Sequence, residues 1–444
     1  MSINKMFTKY VSQNIFGMLG ISLYILADTF FISRAEGANG IAALNLVLPL
    51  YSFIFALGAM MGVGSAIRFK IGRAKGEKSA ELYFSNAMFF ALILGVLFMF
   101  VGSVFPGELV ALLGGNDVIV RVGASYTRIF MMFAPFFMWN FICNAFVRND
   151  GAPTIAMAAT LFSSLFNIVM DYVLMFPLGL GMAGAALATA VSPIVGILIC
   201  CIHFFSKKNT VKFVWPSFRR SYAGDHSSWN VPSIKKIVKC CQLGVSAFIG
   251  EFASGVTTMV FNILILRLSG NIGVAAYGVI ANTALVAISV FNGVAQGSQP
   301  LLSEYYGKRD THAVKKVLKL GIVTALILAV LLLVGVHVGA KQIVAVFNSD
   351  HNAQMADYAV AGIQLYFIGF VFAGYNIVGT GYLSAVDSAR WAFIASMMRG
   401  VIAIIVCVVI LSFLFGMTGV WIAFPTAELI TAIITTIAVK RQRM

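Results

Sequence analysis

Charge is what this chain of 444 residues has least of: Asp, Glu, Lys and Arg make up 11% of it, against about a quarter in soluble domains. So little charge cannot cover a globular surface, which argues against a soluble enzyme or a soluble nucleic-acid-binding domain. Acids are the scarcer sign, with 16 Asp and Glu against 31 Lys and Arg. Histidine is sparse too, and His203, His226, His312, His337 and His351 are scattered over span ends and loops. No Ser/His, HExxH or GxGD constellation occurs, which argues against an intramembrane enzyme, and no Walker-type Gly-rich loop occurs, which argues against direct ATP drive. The six cysteines include the adjacent pairs Cys200, Cys201 and Cys240, Cys241. Adjacent pairs make poor disulfides and none has metal-ligand spacing with His, so they read as small packing residues. The expectation is no enzyme, no cofactor and no resident metal.

Apolar residues fill the space instead, at 60% of the chain. Charge-free runs such as Leu82–Pro106, Leu320–Ala340 and Gly400–Ala427 exceed the roughly 20 residues that a membrane-crossing helix needs. Cut at their polar breaks, the runs predict an all-α polytopic membrane protein with spans at 11–33, 41–67, 82–106, 122–146, 153–176, 181–206, 239–266, 272–300, 318–339, 358–384, 391–415 and 418–439. They are numbered span 1 to span 12 below. Phe176-Pro177-Leu178-Gly179 turns span 5 into span 6, and Phe415-Gly416-Met417-Thr418-Gly419 does the same for spans 11 and 12. The short basic Met1–Tyr10 leads straight into span 1, which predicts a retained first helix rather than a cleaved signal peptide.

The net charge of +15 could suggest nucleic acid, but its placement does not. Lys and Arg crowd the N-terminus, the even-to-odd loops and the C-terminus, while the opposite loops hold Arg34, Arg121, Arg267 and Lys341. The positive-inside rule then places both termini in the cytoplasm and requires an even number of spans. The halves also echo each other. Gly62 and Gly72, at the end of span 2, recur with the same spacing as Gly297 and Gly307 at the end of span 8, each pair followed by basic residues, and Asp150 recurs as Asp387. Six spans per half give both halves one orientation, so the repeat is parallel. The expected organisation is two pseudo-symmetric six-helix bundles: an N-lobe at 1–206, a cytoplasmic linker at 207–237 and a C-lobe at 238–444.

Against this background the buried acids stand out. Asp28 in span 1 and Asp171 in span 5 both fall about six residues below the same end of their helices, hence at one depth. An ionisable group there costs about 2.5–3.5 kcal/mol even on lenient scales, and usually marks an ion or substrate pathway. Asn167 lies at i−4 from Asp171, on the same face, and Thr189 in span 6 reaches the same level. Two carboxylates, an amide and a hydroxyl can share a proton or coordinate a hard cation such as Na⁺. Tyr24, at i−4 from Asp28, and Tyr126 in span 4 are neighbours for a substrate or the cation. Arg128 in span 4 is the nearby base that could serve as counter-ion. Glu251 is a third buried acid, near the middle of span 7. Arg399 in span 11 and Glu428 in span 12 lie at comparable depths in one hairpin, which predicts a structural ion pair.

The segments Asp28-Thr29-Phe30-Phe31-Ile32 and Arg148-Asn149-Asp150-Gly151-Ala152-Pro153, with Asn167-x-x-x-Asp171 before Gly181-Met182-Ala183-Gly184-Ala185-Ala186, resemble the multidrug and toxic compound extrusion (MATE) family. The likeness covers nearly the whole chain. It implies the MATE fold and a secondary antiporter that exports amphipathic, mostly cationic compounds in exchange for H⁺ or Na⁺ by rocking of two bundles. Asp28, Asn167, Asp171 and Thr189 match the N-lobe cation site of the DinF-like branch. Glu251 is similar to the span 7 glutamate of the NorM-like and eukaryotic branches, which serves coupling or drug binding. The acid that often partners it in span 10 is absent here, and so is the early span 1 proline of some DinF-like members. The implied partners are membrane lipids and small organic cations, with no nucleic acid. The implied setting is the plasma membrane of a prokaryote, as a monomer. A lipid-linked precursor flippase of related fold is the alternative, and it would favour more spans and a basic cavity.

Overall fold

The computed structural model describes residues 2–214, 233–347 and 352–442. The middle of the expected linker, with Arg219, Arg220 and His226, lies outside the described residues, as does His351. Among the described residues there is no strand, and helices dominate. That follows from the composition, because only a helix satisfies every backbone donor and acceptor of a lipid-exposed segment by itself.

Spans 1, 2, 3, 5 and 6 are the helices Ile3–Gly37, Ala43–Ala74, Leu82–Val104, Pro153–Met175 and Gly181–Phe204; spans 9 and 10 are Thr311–Phe347 and Ala353–Ala385. Spans 7 and 8 share Ile234–Gly307, broken at Gly270 (φ 61°, ψ −156°). Spans 1 and 2 meet at Gly37 in almost the same conformation (φ 61°, ψ −147°). Only glycine adopts this backbone at little cost, so the internal repeat is written in the main chain as well as in the sequence. Spans 11 and 12 join at Gly416 (φ 57°, ψ −135°) within Ala389–Arg441. With span 4, the described residues hold 12 membrane helices.

Span 4 differs from the expected straight helix over 122–146. It starts at Asp117, where the Asn116 side chain accepts from the N–H groups of Val118 and Ile119. It then bends by 50° between Asp117–Met132 and Ala134–Asn149. Pro135 explains the bend: it has no N–H to donate to Met131, and its ring displaces that carbonyl. A short helix, Pro106–Leu112, precedes it, with proline in the first turn where a missing N–H costs nothing.

The chain forms two compact units, residues 16–251 with 303–310, and residues 1–15 with 252–302 and 311–444. In the first, Phe130 packs between the tilted ring of Tyr51 (3.9 Å) and the stacked ring of Phe137 (4.4 Å). Glu304 accepts from Lys70 at 3.0 Å and from Lys308 at 2.5 Å, and its hydrogen bond raises the Lys308 ammonium above the usual lysine range. Both described ends of the linker dock on span 3. The Val214 N–H donates to Ser85 Oγ (2.7 Å) and the Ser233 N–H to Asn86 Oδ1 (2.8 Å). In the second unit Tyr366 stacks on Phe424 at 4.2 Å. Gly293 and Gly297 lie so close to Ile15 and Val11 that a Cβ would meet their Cα atoms at 2.6 and 2.7 Å.

Apolar side chains also crowd the surface. Leu97, Phe100, Ile327, Leu331, Val334 and Phe413 are all exposed, which water would penalise and lipid does not.

Candidate functional site

Span 6 begins with Gly184, Ala185, Ala186 and Ala188, all buried. Small residues let helix backbones approach closely in a membrane, and a Cβ on Gly184 would meet the Leu174 carbonyl carbon at 2.9 Å. That approach sets Thr189 of span 6 against Asn167 of span 5. The Asn167 amide satisfies all its neighbours in one orientation. It then donates to Asp171 Oδ2 (3.1 Å) and accepts from the Thr189 N–H and hydroxyl, 3.2 Å each. Asn167 and Asp171 are 0% exposed, and Asp28 is 8%. The charge of Asp28 acts on Asp171, so the structure brings spans 1, 5 and 6 together at this point.

One oxygen of each aspartate, Asp28 Oδ1 and Asp171 Oδ1, is buried without a hydrogen-bond partner. Buried polar atoms are nearly always paired, so two orphaned carboxylate oxygens in one cluster mark a place meant for a further group. Arg128 does not supply it: the expected counter-ion is exposed and pairs with neither aspartate. Its position one residue beyond buried Thr127, and two beyond buried Tyr126, turns it off the helix face that points inward.

Tyr126 is buried, lies beside Thr189, and feels the charge of both aspartates. Its ring meets Tyr51 of span 2 at 5.3 Å. Tyr51 was not among the expected residues; its only sequence signal is a phenol inside an otherwise apolar run. Tyr24 stands within electrostatic reach of Asp28, Asp171 and Glu251. Glu251 is half-buried and ends the 16–251 segment of the unit that holds the aspartates.

Arg399 and Glu428 meet in the second unit, with Nε donating to Oε1 at 2.9 Å. Arg399 sits on a π-helical turn, Met398–Ile402, a widened turn that recurs at functional sites. Asn376 of span 10 donates to Glu428 Oε2 (2.7 Å) and to the Glu428 carbonyl (2.8 Å). Asn376 was missed; a lone amide in an apolar span was the available signal. Asp150 was noticed only as a repeat marker and as part of a family-like segment, yet its side chain is a buried hub. Arg73 Nη1 (3.1 Å), His203 Nε2 (2.8 Å) and the Thr210 N–H (2.8 Å) converge on its carboxylate, with the Thr210 hydroxyl beside them.

Among the described residues no three His, Cys, Asp or Glu side chains gather to hold a metal ion. A metal ion at the aspartates would need oxygens beyond the two carboxylates, since Asn167 turns its NH₂ rather than its oxygen toward Asp171.

Twelve apolar spans and a buried acid cluster mark a polytopic membrane transporter. The MatE family model matches residues 14–173 and 247–409, and the chain belongs to that family, whose members are transporters rather than enzymes. Multidrug export protein MepA of Staphylococcus saprophyticus is 28% identical over 421 residues, covering 94% of this chain and 89% of that protein. Two solved structures share the fold. One is an outward-facing multidrug resistance MATE family transporter of the MOP superfamily, with TM-score 0.90, 21% identity, and coverage of 99% of this chain and 96% of the other. The other is a MOP superfamily transporter from Pyrococcus furiosus described as having a binding pocket of reverse polarity, with TM-score 0.88, 20% identity, and the same coverage.

Proposed function

We propose that the protein exports amphipathic organic cations as an antiporter, binding H⁺ or Na⁺ at Asp28 and Asp171 and exchanging it for substrate as two bundles rock. The relative named as a multidrug export protein supports the substrate class. The observation that carries the coupling role is the pair of orphaned carboxylate oxygens in a cluster without a base. Glu428, by contrast, already has its own cation in Arg399. A buried acid with a built-in partner has no need of an external one, so the exchangeable cation belongs to the unit that holds the aspartates. The carboxylate oxygens suit a proton or a hard cation, and Asn167 and Thr189 hold Asp171 in place beside it. Tyr24 and Tyr126 border the set, and Glu251 extends it toward the substrate. The protein works as a monomer in the prokaryotic plasma membrane, surrounded by lipid, with both termini in the cytoplasm.

The test is transport of a fluorescent cation into liposomes under separately imposed H⁺ and Na⁺ gradients. Asp28→Asn and Asp171→Asn should each abolish gradient-driven exchange in protein that still folds. Wild-type exchange in both variants would remove the site.

A further inference from the structure

We propose that Glu36 is a positioning residue for this cation site: it clasps the Gly37 end of span 1 to the first turn of span 6 and so holds Asp28 in register with Asp171. The inference rests on the coupling role just given. Glu36 is the residue immediately before the Gly37 break, and its Oε1 accepts a hydrogen bond from the Met182 N–H at 3.0 Å. Met182 is the second residue of the helix Gly181–Phe204. The first N–H groups of a helix have no partner within it, and the helix dipole favours a carboxylate at that end. Span 1 therefore ends on a directional bond to the helix that carries Thr189.

A second contact fixes the same stretch. Phe31, three residues after Asp28, packs on Tyr172 (6.3 Å between ring centroids) and Phe176 (6.0 Å), and Tyr172 adjoins Asp171. The span 5 to span 6 hairpin thus grips span 1 through an apolar contact about one turn from Asp28 and a polar one about two turns away. The apolar contact can slide, whereas the hydrogen bond sets rotation and height.

Gly181 makes room for the clasp. Its φ is +50°, and a Cβ there would stand 2.0 Å from Glu36 Oε1. The obstructing atom ends a flexible side chain, so an alanine at 181 would push the carboxylate off Met182 while the helices keep their places. A Cβ at this φ is also strained locally.

The experiment measures the cation concentration for half-maximal exchange in liposomes, titrating H⁺ and Na⁺ separately, beside maximal rate and melting temperature. Glu36→Ala should raise that concentration about tenfold, as loss of one charge-assisted hydrogen bond implies, with maximal rate changed less than about twofold. Glu36→Gln should stay within about twofold of wild type, because the amide oxygen still accepts from Met182. Gly181→Ala should reproduce Glu36→Ala, and the double variant should be no worse than either single one. A merely stabilising cap would lower the melting temperature and leave the half-saturating concentration unmoved. That result, with Asp28→Asn inactive, overturns the positioning role alone, as would additive effects in the double variant. Wild-type exchange in Asp28→Asn would remove the coupling site, and the clasp's role with it.

Discussion

The Arg399–Glu428 pair offers the sharpest test of what the second unit's charges are for. Arg399 Nε and Glu428 Oε1 lie 2.9 Å apart, with side-chain exposures of 19% and 3%, so both groups are largely removed from water. Glu428→Leu would strand the guanidinium and cost Asn376 one of its two acceptors. Removing one partner of a buried pair costs about 3–5 kcal/mol, because the other charge stays buried without compensation. Replacing both partners with apolar side chains of similar volume removes the attraction and the desolvation penalty together, and is often neutral. Glu428→Leu and Arg399→Met should therefore each lower the melting temperature of purified protein, by several degrees, while the double variant returns close to wild type. The coupling energy from this cycle should exceed about 2 kcal/mol. Exchange by the double variant should survive, since the exchanged cation is assigned elsewhere. If the double variant were as unstable as either single one, the energy would not reside in the pair. Restored stability with exchange lost would make the pair part of the transport machinery.

Two further outcomes are expected. Asp150→Ala removes the common acceptor of Arg73, His203 and Thr210, so a cysteine placed at Lys212 should be labelled faster in this variant than in wild type. Labelling should occur from the cytoplasmic side alone, and labelling from outside intact cells would reverse the orientation. Glu251→Gln should weaken export of cations more than of neutral compounds, because a carboxylate attracts charge more strongly than an amide does; equal loss for both would move Glu251 into the coupling set.

Helix type and number were legible because lipid removes the alternatives: a charge-free run of about 20 residues can satisfy its backbone only as a helix. The hairpins were legible where glycine or proline punctuates the runs, as at Gly416. The bend in span 4 was readable in principle, since Pro135 stands in mid-run, but hydropathy windows average over a single proline. The aspartate cluster was legible because acids are so rare here that depth counting along two helices sufficed. Tyr51, Asn376 and the Asp150 hub were not, because a phenol, an amide or a loop acid has no fixed meaning until packing shows what it faces. Arg128 shows the same limit from the other side. Depth placed it beside the aspartates, but rotation about the helix axis, which depth does not specify, turned it outward.

The clasp and the acid cluster together suggest how a bound cation would govern span 1. Two ionised carboxylates sharing a low-dielectric site repel each other, and a shared cation or proton removes that repulsion. Loss of the cation would press span 1 away from the hairpin that carries Asn167, Asp171 and Thr189. The opposing restraints are the Phe31 aromatic contacts and the Glu36–Met182 hydrogen bond, and a charge-assisted bond contributes about 1.5–3 kcal/mol. If the proposed coupling holds, that opposition would let a single cation decide whether span 1 stays docked, which an acid held by its own arginine could not do.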